Sequence, residues 1–145
     1  MIYTEMTKKA MKICFDAHNG QLDKSGLPYV FHPYHIAEQM TDENTAVVAL
    51  LHDVIEDTNI SLDMLREWGF SEEVLTALSL MTHNPEVPYM EYVAKIKENP
   101  IAAAVKREDL RHNSDLSRLN NITPKDLERK EKYRKALALL SNADL

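Results

Sequence analysis

The stretch "VVALLHDVIEDT", residues 47–58, decides how the rest of the chain is read. Five apolar residues lead in, and His52, Asp53, Glu56 and Asp57 follow within six positions. At about 100° per residue these four side chains fall within a sector of about 140°, while Leu51, Val54 and Ile55 point the other way. The spacing predicts one helix, from Thr45 to about Asp57, with a core face and a face of four potential ligands or acid–base groups. Carboxylates near a helix C-terminus sit at the unfavourable end of the macrodipole. A solvated acidic face bears that cost, and a bound cation removes it.

Outward from this stretch the punctuation is helical. Residues 6–18 place Ala10, Ile13, Cys14 and Ala17 at three- and four-residue spacing, one apolar face. "NGQLDKSGLPY", residues 19–29, is the one stretch that reads as a long loop. Pro33 is expected to open a short helix to about Met40. Ser61 reads as the N-cap of a helix that Gly69 ends, and Ser71 with Glu72 and Glu73 starts another, broken by "HNPEVP" near His83. Helices are expected over Tyr89 to Glu98, Pro100 to Leu119, and from Thr123-Pro124 to about Leu140. Only three glycines occur, and no strand-like alternation stands out. The expectation is an all-α, single-domain bundle of about eight helices spanning residues 1–145.

Composition narrows the function. A chain of 145 residues with 44% apolar and 28% charged side chains is long enough to bury a real core. The net charge of −6 argues against a nucleic-acid-binding surface, which needs a basic stripe. No apolar run approaches the roughly 20 residues of a membrane-spanning helix. A single cysteine, Cys14, and an N-terminus without a hydrophobic signal fit the cytoplasm. A small phosphorylated substrate stays open, because a few local cations or a metal can reverse the field inside one cleft.

Two further stretches bear on the acidic face. "PYVFHPYHIAEQM" puts His32 just before the expected helix start at Pro33, where a loop–helix junction can aim an imidazole into a cleft. "AVKREDLRHNSDLSRL" places Lys106, Asp109 and Asn113 on one face of a long helix. Two histidines and two aspartates make a mixed nitrogen–oxygen donor set that suits Mn, Fe or Zn.

His32, the His52-Asp53 doublet and the distant Asp109 resemble the H…HD…D signature of the HD-domain metal-dependent phosphohydrolases. More narrowly, "KSGLPYVFHP", "ALLHDVIEDT" and "VKREDLRHN" resemble, in order, three blocks of the hydrolase domain of RelA/SpoT enzymes and of small stand-alone alarmone hydrolases. The resemblance runs from about His18 to Leu119.

It implies an HD-type fold and Mn²⁺-dependent removal of the 3′-pyrophosphate from (p)ppGpp or a similar nucleotide. His32, His52, Asp53 and Asp109 would hold one divalent ion. Glu56 and Asp57 match the pair that positions and deprotonates the attacking water. Asn113 matches an asparagine that contacts the substrate near the ribose and 3′-phosphates. Lys24, Ser25 and Tyr29 would line the same mouth, with Lys106 and Arg111 as nearby cations. His18 is read as structural, His35 as a half-buried packing residue and His112 as a support behind the ligands. His83 is kept as a phosphate neighbour, and the run "DLERKEKYRK" as a solvated helix face.

Two positions depart from the family pattern. Asp23 stands where the family has an arginine that packs on guanine, and Leu116 stands where it has a threonine. Both lie at the base and sugar end. A hydrolase of another nucleotide, such as NADPH or a deoxynucleotide, is therefore the second reading. An HD-fold module that holds a nucleotide without turnover is the third, and the Glu56-Asp57 pair counts against it.

Overall fold

A computed structural model describes residues 1–141. Its helices are α1 (Glu5–Ala17), α2 (Phe31–Glu38), α3 (Glu43–Leu51), α4 (Val54–Asp57), α5 (Leu62–Glu67), α6 (Glu72–Met81), α7 (Tyr89–Lys97), α8 (Pro100–Asn113) and α9 (Pro124–Ser141), with a 3₁₀ turn at Leu116–Arg118. Among the described residues these are nine α-helical segments and no named strand, only an isolated bridge between Leu22 and Pro28. The extra segment arises because the helix expected from Thr45 to Asp57 breaks at His52 and Asp53.

Side-chain caps set most of the starts. Thr4 and Thr7 form a reciprocal box at α1, Asp42 caps α3, Ser61 caps α5, Ser71 caps α6, and Asn99 caps α8 ahead of Pro100. Gly69, at φ +96°, turns the chain after α5 in a region that side chains rarely adopt. Two boundaries differ from the sequence expectation. α2 starts at Phe31, so His32 lies inside its first turn and Pro33 follows it. α8 stops at Asn113, and Asp115 caps the 3₁₀ turn through the Ser117 amide.

α3 is the axis of the molecule. Every residue from Thr45 to His52 is buried, so beyond Glu43 and Asn44 this helix has no solvated face. It packs against α1, α2, α6 and α8, while α9 lies across α7 and α8. Leu50 and Leu51 are essentially inaccessible, and burial of each contributes about 1.5–3 kcal/mol. The C-terminal end of α3 therefore delivers His52 to the middle of the protein, where α2 and α8 pass on either side.

Candidate metal centre

The helix break makes the doublet usable. His52 is the C-cap of α3, where the last carbonyls lack helical partners, and Asp53 is the N-cap of α4. The His52 Nδ1–H donates to the Ala49 carbonyl at 2.6 Å, which fixes the tautomer and leaves Nε2 as the lone pair. That Nε2 is buried without a hydrogen-bond partner. It lies 3.2 Å from Asp53 Oδ2 and 3.6 Å from Asp109 Oδ1. A nitrogen facing two carboxylates calls for positive charge at that point, supplied by a proton on Nε2 or by a cation.

His32 and Asp109 complete the cluster. His32 Nε2 is 2.9 Å from Asp109 Oδ1, and the donor atoms of His32, His52 and Asp109 all lie within 4.8 Å of one another, every residue buried. Asp53 stands at the edge of this set. Its Oδ2 is 3.9 Å from His32 Nε2 and accepts the Tyr29 hydroxyl at 2.5 Å. Two imidazole nitrogens and carboxylate oxygens, one nitrogen left without a partner, fit a divalent transition ion.

The surroundings divide the labour. Asp109 Oδ2 takes Lys106 Nζ at 2.9 Å, while Oδ1 faces the histidines and accepts the Asn113 amide at 3.2 Å. Behind His32, its Nδ1 is 2.7 Å from His112 Nδ1, and the exposed His35 ring stacks on His112 at 4.1 Å.

Charge states follow the same logic. Burial resists ionisation of His52, yet the Asp53 and Asp109 carboxylates outweigh it and hold the imidazole well above its ordinary range. Burial also works against the Asp53 carboxylate, but His52 beside it brings it down to about 2. Asp109 is held well below the usual carboxylate range against burial, first by Lys106. Burial, then the Arg118 charge, pushes His112 down to about 3, so it is a neutral ring that can accept a hydrogen bond from His32 Nδ1–H.

Glu56 and Asp57 are exposed, and neither lines the cavity that opens from His32; each is tied to another segment of the chain. Glu56 Oε1 accepts the His83 amide at 2.9 Å, and Asp57 Oδ2 accepts Gln21 Nε2 at 3.4 Å. His83 itself is tied by Nε2 to the Val87 carbonyl and packs on Tyr92. His18 bonds Gln21 in the loop at 2.8 Å.

From His32 a cavity of about 370 Å³ opens towards α9. Tyr29, Asn113, Ser25, Lys24 and Asp23 line it, as do Leu116, Arg118, Asp126, Arg129 and Tyr133. Lys106 does not. It lies one turn before Asp109, so its head reaches that carboxylate and sits over the rings of Tyr92 and Tyr89, 5.4 and 6.0 Å away. Arg111 points outward and pairs with Glu108.

Asp23 also has an occupation beyond the one its position suggested. Its Oδ1 accepts the Ser25 and Leu27 amides at 2.8 and 3.0 Å, capping the turn in which Gly26 adopts φ +82°. Only Oδ2 remains, 3.9 Å from Arg118. The loop is stitched to the far segment by Ser25 Oγ, which donates to the Arg118 carbonyl at 2.5 Å, and by Lys24, 3.8 Å from Asp126.

Residues of α9 were missed from sequence, although Asp126, Arg129 and Tyr133 carry a legible signal, the i, i+3, i+7 spacing of one helix face. Arg118 had none, because it follows the end of α8.

No family model matches the chain. Over 139 residues, 92% of the chain, it is 30% identical to a guanosine-3′,5′-bis(diphosphate) 3′-pyrophosphohydrolase of Aquifex aeolicus, and covers 20% of that protein. Over 55 residues, 35% of the chain, it is 47% identical to the bifunctional (p)ppGpp synthase/hydrolase SpoT of Escherichia coli, and covers 8% of it. The chain thus spans a fifth or less of the length of these curated relatives. A solved structure of a metazoan ortholog of SpoT, described as hydrolysing ppGpp, superposes with a TM-score of 0.76 at 22% identity, covering 99% of this chain and 89% of that one. At that identity the superposition speaks for the fold. With the sequence matches beside it, the chain is homologous to the hydrolase region of the RelA/SpoT enzymes.

Proposed function

We propose that this chain is a single HD-type hydrolase domain, acting in the cytoplasm, that removes the 3′-pyrophosphate of (p)ppGpp or a closely similar nucleotide with Mn²⁺ as its ion. One observation carries the proposal: His32, a member of the buried His32, His52 and Asp109 donor cluster in which His52 Nε2 is unpartnered, also lines a cavity large enough for a nucleotide. The sequence relatives supply the substrate class.

His32, His52, Asp53 and Asp109 are the residues that would hold the ion. When bound, such an ion polarises a phosphoryl oxygen and lowers the pKa of water. Glu56 and Asp57 orient the attacking water and take its proton as its oxygen bonds to the phosphorus and the P–O3′ bond breaks. Asn113 and Tyr29 flank the approach, where an amide and a hydroxyl can hold sugar and phosphate oxygens. Lys106 keeps Asp109 anionic and aimed at the histidines.

The test is a panel of nucleotides, including ppGpp, NADPH and deoxynucleoside triphosphates, incubated with Mn²⁺-loaded protein and read by product mass. Pyrophosphate with GDP from ppGpp is the expected outcome. Turnover of another nucleotide with none of ppGpp would move the assignment to that substrate.

A further inference from the structure

The outer end of the cavity raises a question of charge and shape. Three cations line it, and two are already opposite one carboxylate: Lys24 is 3.8 Å and Arg129 3.6 Å from Asp126. Arg118 is held differently. Its guanidinium donates to the His112 carbonyl at 2.8 Å, and another nitrogen lies 3.9 Å from Asp23 Oδ2. Both anchors fix the orientation of the plane, and the side chain stays 26% exposed on the cavity. Besides its polar groups, the cavity that Arg118 lines includes Leu116, Leu119 and Tyr133, two aliphatic side chains and a ring. A flat cation with apolar and aromatic company is chemistry for a nucleobase. Phosphates are better served by the exposed ammonium of Lys24 and by Arg129.

The loop opposite cannot offer the same service. Asp23 is acidic, and its Oδ1 is committed to two loop amides. The stitches from Ser25 to the Arg118 carbonyl and from Asn120 to the Ser25 carbonyl make loop and 3₁₀ turn one wall.

We propose that Arg118 recognises the purine base of the substrate, its guanidinium plane clamped between the His112 carbonyl and the Asp23 carboxylate as the stacking surface of the cavity. This rests on the nucleotide reading above. Arg118 is a specificity-determining residue that sets KM, and the bond-breaking groups lie at the other end of the cleft.

The experiment measures kcat and KM for ppGpp, and for guanosine 3′-diphosphate with a free 5′-hydroxyl, in wild type, Arg118→Gln and Arg118→Lys. KM should rise about 10-fold in both variants and for both substrates, with kcat within about 2-fold, since lysine keeps charge but has no plane. Rescue by lysine, or a KM change confined to the substrate with 5′-phosphates, would overturn the proposal by assigning Arg118 to phosphate. Unchanged KM in both variants overturns it outright. Should the wild type turn over neither substrate, the functional reading fails separately, and equilibrium binding of GDP and CDP decides. GDP binding weakened about 10-fold by Arg118→Gln, with CDP little affected, supports the proposal, and equal or absent effects sink it.

Discussion

The Nδ1 atoms of His32 and His112 face each other across 2.7 Å, so a single proton serves two rings. His32 can offer Nε2 to a metal only while Nδ1 carries that proton, and neutral His112 is the acceptor that keeps it there. His112→Phe keeps a flat ring and removes the acceptor. Mn²⁺ affinity, followed by the EPR signal of the free ion, should fall about 10- to 100-fold. Retention of wild-type affinity would mean that His112 is packing only.

The metal ligands are testable apart from turnover. Asp109→Ala should lose most bound ion, measured by elemental analysis after dialysis, because so few donors offer little redundancy. It also strands the Lys106 charge beneath Tyr92, so a stability loss of about 3–5 kcal/mol is expected in urea. Asp109→Ala with Lys106→Met should regain stability without regaining metal. Full occupancy in Asp109→Ala would remove Asp109 from the ligand set.

Glu56→Gln and Asp57→Asn leave the buried cluster untouched, since both side chains are exposed. Metal content and melting temperature should match the wild type, while kcat falls by roughly 10²-fold. Wild-type rates in both would return water activation to the ion alone.

Asp23 caps its own loop, and this bears on what an arginine there would do. Position alone suggests that Asp23→Arg would improve kcat/KM for ppGpp by restoring a cation. In the fold that change strips the acceptor from the Ser25 and Leu27 amides and sets a second arginine against Arg118. Asp23→Arg should therefore raise KM and speed hydrogen exchange of the loop amides, whereas Asp23→Asn keeps an acceptor and should change exchange little. Better kcat/KM in Asp23→Arg would restore the original expectation.

Much of the scaffold was legible because its signals are local. Ser61, Ser71 and the Asn99-Pro100 step announce helix starts in two or three residues each. The break at His52 and Asp53 was hidden for a physical reason: both residues keep right-handed helical dihedrals, so the apolar period runs on through them. Lys106 shares a helix face with Asp109 and Asn113, and spacing alone could not say that its head turns to the carboxylate. The charges of Asp126 and Arg129 read as a solvated face, since a wet cavity selects the same residue types as open water.

The stitch from Ser25 to Arg118 joins segments 93 positions apart in the chain. The donors at His32, His52 and Asp109 are all synthesised before the turn that carries Arg118 and the helix that closes the cavity. A chain growing from the ribosome can thus bring this donor cluster together before it has the cavity beside it, and long-range closures of this kind come late because their loop entropy is met last. The cavity wall that α9 supplies is then added to a donor cluster whose residues are already in place.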